Sequence, residues 1–154
     1  MKRLLSLGLG GLALGVSLTA AAADHDTQFR VNELPASDPK YLRTWQQLVE
    51  DEERLPEWII NLSGTATPMQ ALEEDDEQYL VGELCEAHDC AHQRLYVAFS
   101  WDKAHAYALY VQLPANLPAD KAPSRHASYR WLGEPDAGIK QLLDEQLKAD
   151  PNWY

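Results

Sequence analysis

A chain of 154 residues with 24 acidic and 13 basic side chains carries a formal net charge of −11. That length fits one domain around a single core. A surface this acidic repels nucleic acid and anionic membrane and draws in basic partners, so neither nucleic acid nor membrane is an expected ligand.

The first two dozen residues read as a leader and not as part of the fold. Met1-Lys2-Arg3 is a short basic start, residues 4–18 are apolar or small apart from Ser6 and Ser17, and Ala20 to Ala23 are small residues suited to cleavage. This is the three-part layout of a secretory signal peptide over residues 1–23. Gly8, Gly10, Gly11 and Gly15 weaken the alternative of a packed helix. The cut is expected after Ala22 or Ala23, and no cysteine stands there to take a lipid. Loss of Lys2 and Arg3 moves the charge of the mature domain, residues 24–154, from −11 to −13. No later stretch approaches the roughly 18 continuous apolar residues of a membrane span. The chain is therefore expected to be exported.

Residues 24–37 are polar and mixed, an irregular lead-in. Asp38 then reads as a helix cap with Pro39 at the first helical position. Tyr41, Leu42, Trp45, Leu48 and Val49 follow at helical spacing. Pro56 breaks that helix, residues 56–60 begin a short further turn, and Gly64 closes it. The middle of the chain is β. Residues 78–85 form a first strand, with Tyr79, Val81 and Cys85 on one face and Leu80 and Leu84 on the other. In residues 94–101, Leu95, Val97, Phe99 and Trp101 alternate with Arg94, Tyr96, Ala98 and Ser100. A tight turn at Asp102-Lys103 returns the chain through residues 104–113 as an antiparallel hairpin. Both faces carry apolar or aromatic groups, so the sheet is expected to be covered on both sides. A short strand follows at residues 127–132.

Pro135 near the first position opens the last helix, Ile139, Leu142, Leu143 and Leu147 form its buried stripe, and Pro151 marks its end. The fold class is α+β, a single domain with a central antiparallel β-sheet flanked by helices. Trp45, Trp58, Trp101, Tyr107 and Trp131 are expected mostly in the core, while Trp153 and Tyr154 either pack or fray.

Between the first two strands lies Cys85-Glu86-Ala87-His88-Asp89-Cys90-Ala91-His92-Gln93. In an oxidising compartment an isolated cysteine pair is most simply one disulfide. Closing so small a ring stabilises a domain by only about 2 kcal/mol on the chain-entropy estimate. Its larger effect is local stiffness, which reduces the entropy lost on docking. The bland alternative is a staple at a strand end.

The segment Cys85-Glu86-Ala87-His88-Asp89-Cys90 resembles the Cys-x-x-His-Asp-Cys loop of the Ivy family, periplasmic inhibitors of vertebrate (C-type) lysozyme. Leu55-Pro56-Glu57-Trp58-Ile59 is similar to that family's Leu-Pro-x-Trp-Val, and Gly64-Thr65 with Thr67-Pro68 to its Gly-x-Thr-x-Pro. Gln93-Arg94 and the hairpin around Asp102-Lys103 extend the likeness over most of residues 40–113. The resemblance implies a loop that enters the lysozyme cleft, with His88 as the inserted residue, Asp89 beside it and Cys85–Cys90 holding the shape. Retaining glycosidases place two carboxyls roughly 5–5.5 Å apart. An imidazole, above all when protonated, can donate to both. Asp89 has a second reading, capping the loop through a backbone N–H two residues on. Glu86 and Ala87 stand where the best-known family pattern has a basic residue and a proline. The expected partner is C-type lysozyme, and the sequence leaves monomer and homodimer both open.

Rival chemistries are weaker. Cys85, His88, Cys90 and His92, with Asp89, could ligate a metal in an exported protein, and His88 to His92 has a step seen in helical zinc sites. Free thiolates are poorly maintained outside the cytosol, however, and the segment reads as a loop. Adjacent His88 and Asp89 seldom orient each other as a catalytic pair, and no serine elbow or phosphate loop is present. Redox dithiols usually have two intervening residues, and here there are four. No enzyme activity and no cofactor are implied. His25, His105 and His126 are assigned no role.

Overall fold

The protein is described by a computed structural model over residues 29–154. The expected leader and its cleavage point lie outside the described residues. The lead-in is more ordered than its composition suggests. A 3-10 turn at Val31–Glu33 runs into α1 (Leu34–Ser37), and Val31 and Leu34 are completely buried. Two apolar contacts in so short a stretch leave no periodicity to read.

Helix α2 (Pro39–Glu50) starts as expected, with the Asp38 carboxylate accepting from the Lys40 N–H at 2.8 Å. Lys103 Nζ reaches the other Asp38 oxygen at 2.7 Å, and that bond first, then the Lys40 N–H, holds this carboxyl below its ordinary range. Trp45 and Leu48 are buried and Tyr41 and Val49 half-buried, but Leu42 is exposed, so the stripe is one residue narrower than the spacing suggests. Trp45 Nε1 donates to the Ile59 carbonyl at 2.9 Å, locking α2 to α3 (Glu57–Ile60).

The sheet has six antiparallel strands: β1 (Thr65–Ala66), β2 (Gln70–Glu74), β3 (Glu77–Cys85), β4 (Gln93–Ser100), β5 (Ala106–Gln112) and β6 (Ser128–Leu132). Their order is β1-β3-β4-β5-β6, with β2 sharing the β1 edge of β3. Strands β1 and β2 have no counterpart in the sequence expectation. Leu72 is the one sizeable apolar residue of β2, so the strand shows no alternation. It pairs with β3 through a two-residue turn, Asp75-Asp76, whose φ values of 50° and 63° are those of a type I′ hairpin.

Both faces of the sheet are covered, as the alternating pattern required. Leu80, Leu84, Leu95, Val97, Phe99 and Tyr110 pack on Trp45, Leu48, Trp58 and Ile59. On the other face Tyr79, Val81, Tyr96, Ala98 and Leu109 pack on Ile139, Leu142, Leu143 and Leu147 of α4 (Ala137–Lys148), with Trp153 beside them. Asp136 is the cap of α4, its carboxylate accepting from the Ile139 N–H at 2.9 Å, and Pro135 precedes it. Trp101 stands 46% exposed beyond the end of β4, against expectation, and Tyr107 and Trp131 are half-buried. Trp153 packs at 2% exposure while Tyr154 is 70% exposed. No helix of the described residues is long and apolar enough to cross a membrane.

Candidate functional site

The ring grows directly out of the sheet. Cys85 and Arg94 form the last register pair of β3 and β4, and the Glu86 N–H donating to the Gln93 carbonyl at 3.1 Å adds one more rung. The chain then turns, with the Asp89 N–H donating to the Glu86 carbonyl at 3.0 Å. His88, third in this four-residue turn, has φ 69°, and Ala87 before it does not have a positive φ. That combination is the type II pattern, which usually places glycine or asparagine where His88 sits. Histidine is among the residues that enter this left-handed region more readily than most. The Asp89 carbonyl accepts the N–H groups of both His92 and Gln93 at 3.0 Å, closing the segment back into β4. Cys85 and Cys90 are joined, as expected.

Ala87 and His88 form the exposed tip. No hydrogen bond within the described residues holds the His88 imidazole. Asp89 behaves differently: its Oδ1 lies 2.6 Å from His92 Nδ1. Of the two residues expected to face a partner, one presents a free ring and the other is engaged by a neighbour. From the sequence His92 stands out only as a metal ligand, although its three-residue step from Asp89 is itself the signal of a local pair.

Three further contacts, invisible from the sequence, fix the base of the ring. Arg94 Nε donates to the Cys90 carbonyl at 3.0 Å, and its guanidinium also bonds Asp150 beyond the end of α4. Burial pushes the Asp150 carboxyl upward, yet the Arg94 bond and the Asn152 N–H outweigh it and hold the carboxyl below its usual range. The Leu113 N–H donates to the His92 carbonyl at 2.8 Å, which binds the ring to the end of β5. Gly64 does not close α3, as the sequence suggested. That helix ends at Ile60, and Leu62 takes the positive φ, 48°. Gly64 is instead required by proximity, because a Cβ there would stand 2.1 Å from the Cys85 carbonyl oxygen.

The metal alternative loses its donors. Both sulfurs are in the Cys85–Cys90 bond, His92 is occupied by Asp89, and the described residues contain no group of three His, Cys, Asp or Glu arranged to hold an ion.

Over residues 40–149 the chain matches the family described as Inhibitor of vertebrate lysozyme (Ivy). It is 58% identical over 154 residues to an uncharacterized protein of Pseudomonas aeruginosa, covering 100% of this chain and 98% of that one. A second Pseudomonas aeruginosa protein, named an inhibitor of vertebrate lysozyme, is 41% identical over 155 residues, covering 99% of this chain and 97% of its own. An uncharacterized protein of Yersinia pestis is 40% identical over 115 residues, 75% of each chain. The family match takes in both the exposed ring and the strands that carry it, and the likeness first read from the loop holds across the domain. The chain belongs to the family of inhibitors of vertebrate lysozyme.

Proposed function

We propose that this protein is an exported inhibitor of C-type lysozyme that acts by placing His88 between the two catalytic carboxyls of the enzyme. Family membership puts it among inhibitors and not enzymes. The observation that carries the mechanism is the exposed, unbonded imidazole of His88 at the apex of a covalently closed turn. A protonated imidazole donates from nitrogens on opposite sides of a small ring, which suits two acceptors roughly 5–5.5 Å apart. Charge-assisted bonds in a cleft emptied of water are the strong ones. The ring reaches the cleft already shaped, so little entropy is lost on docking. A charge of −13 on the secreted domain steers a basic enzyme toward it. The periplasm, behind residues 1–23 as a leader, is the compartment in which both the disulfide and a wall-protecting role make sense.

Cell-wall lysis by a C-type lysozyme, measured with rising amounts of purified mature protein, tests this reading. Stoichiometric loss of lysis is expected. Undiminished lysis at excess protein would overturn it.

A further inference from the structure

Beside the ring lies an open cavity of about 580 Å³, lined on one side by Cys85, Cys90 and Arg94 and on the other by Gln146, Ala149 and Asp150. It exists because α4 covers the sheet over Tyr79 and Val81 but ends at Lys148, leaving the end of β3 and the start of β4 uncovered. Glu83 stands in it, half-buried, opposite Tyr96 in the strand register. Its carboxylate receives one hydrogen bond, from the Tyr96 hydroxyl at a long 3.5 Å. The cation nearby, Arg94, faces Glu83 without bonding it and is shared among the Cys90 carbonyl, Asp150 and the Tyr96 hydroxyl. Glu83, Arg94 and Asp150 together leave one negative charge over. The end of α4 adds the partial negative charge of its last carbonyls. Burial pushes the Glu83 carboxyl above its usual range, Arg94 opposes that push, and Asp150 adds to it less strongly than Arg94 opposes it.

A half-buried carboxylate with one weak donor, sharing its nearest cation with Asp150, has room for a second cation. The walls also include Ala66, Pro68, Val81 and the disulfide, an apolar lining suited to the methylene stem of a long basic side chain. We propose that this cavity is a second contact for the inhibited enzyme, taking one lysine or arginine side chain of the lysozyme onto Glu83. The proposal rests on the lysozyme reading above. Because Cys85 and Cys90 line both the ring and the cavity, an enzyme seated on His88 overhangs it. The ring then supplies the plug, and Glu83 supplies a rim contact that distinguishes lysozymes by where their basic residues lie.

Glu83→Gln keeps shape and removes charge. Binding of a C-type lysozyme to this variant, measured by titration calorimetry and surface binding kinetics, is expected to weaken about tenfold or more, mostly through faster dissociation. Full inhibition at saturation should persist. Affinity within about twofold of wild type, or tighter binding, would overturn the proposal while leaving inhibition through His88 intact. A separate arm uses N-acetyl-arginine and N-acetyl-lysine methylamides, with the norleucine analogue as control, and follows the Glu83 carboxyl and Tyr96 ring by NMR. Shifts with the two cations alone support a cation site even if the wild type proves not to bind lysozyme. No shift with either cation overturns it on its own.

Discussion

Asp89 and His92 are bound side chain to side chain, Oδ1 to Nδ1 at 2.6 Å, across three residues of the turn that follows the His88 tip. Both are partly exposed, so the pair contributes only about 0.2–1 kcal/mol. Its consequence is positional. It holds the backbone of Asp89, whose carbonyl accepts two N–H groups and whose own N–H closes the turn beneath His88.

Asp89→Asn and His92→Gln are therefore expected to weaken inhibition by similar factors, about two- to fivefold, with the double variant no worse than either single one. Inhibition constants from a four-member cycle check this. A loss of more than about tenfold for Asp89→Asn alone would show that Asp89 itself touches the enzyme.

His88→Ala and His88→Gly both remove the imidazole, and each is expected to reduce inhibition by about tenfold to a hundredfold. Thermal denaturation separates them. At an ordinary position glycine is the less stable of the two by roughly 0.4–1 kcal/mol. At φ 69° the order reverses, because a Cβ is unfavourable in the left-handed region. An alanine variant clearly more stable than the glycine one would mean the turn does not have this backbone.

Ala87 occupies the second position of the turn, where proline is favoured, and its N–H donates no bond among the described residues. Ala87→Pro should raise stability by about 0.4–1 kcal/mol and tighten inhibition severalfold through preorganisation. Chemical denaturation and an inhibition assay on the same preparation decide it. A weaker inhibitor would point to proline clashing with the enzyme or to a different turn.

The Glu83 carboxyl is raised by burial, so the folded protein holds a proton there that the unfolded chain releases at lower pH. Stability on account of this group falls as pH rises from the ordinary value of 4.5 through the higher folded value, and is flat below and above that window. Glu83→Gln is expected to raise Tm near neutral pH and to leave it unchanged near about pH 4. Equal Tm for the two proteins at both pH values would remove the claim that this carboxylate is poorly solvated.

Features governed by neighbours along the chain were legible in advance. Asp38-Pro39 before an amphipathic run specifies a capped helix, and alternation through residues 94–101 specifies a strand apolar on both faces, since side-chain period is a local property. Two cysteines with four residues between them specify the ring, and the residues inside it carry the family likeness. Strand β2 was not legible because its stability comes from pairing with β3 and not from its own burial. Trp101 was misplaced because alternation says which face a residue takes but not where the cover over that face stops.

The supports of the site belong to the same class. Gly64 against Cys85 and Arg94 against Asp150 join residues 21 and 56 positions apart, and the uncovered Glu83 depends on where α4 ends. By itself the chain determined which groups are offered: a closed turn, an imidazole at its tip, an acidic surface. Tertiary structure alone decided which of them are free and which are spent, since that depends on distances across the sheet that composition and periodicity do not encode.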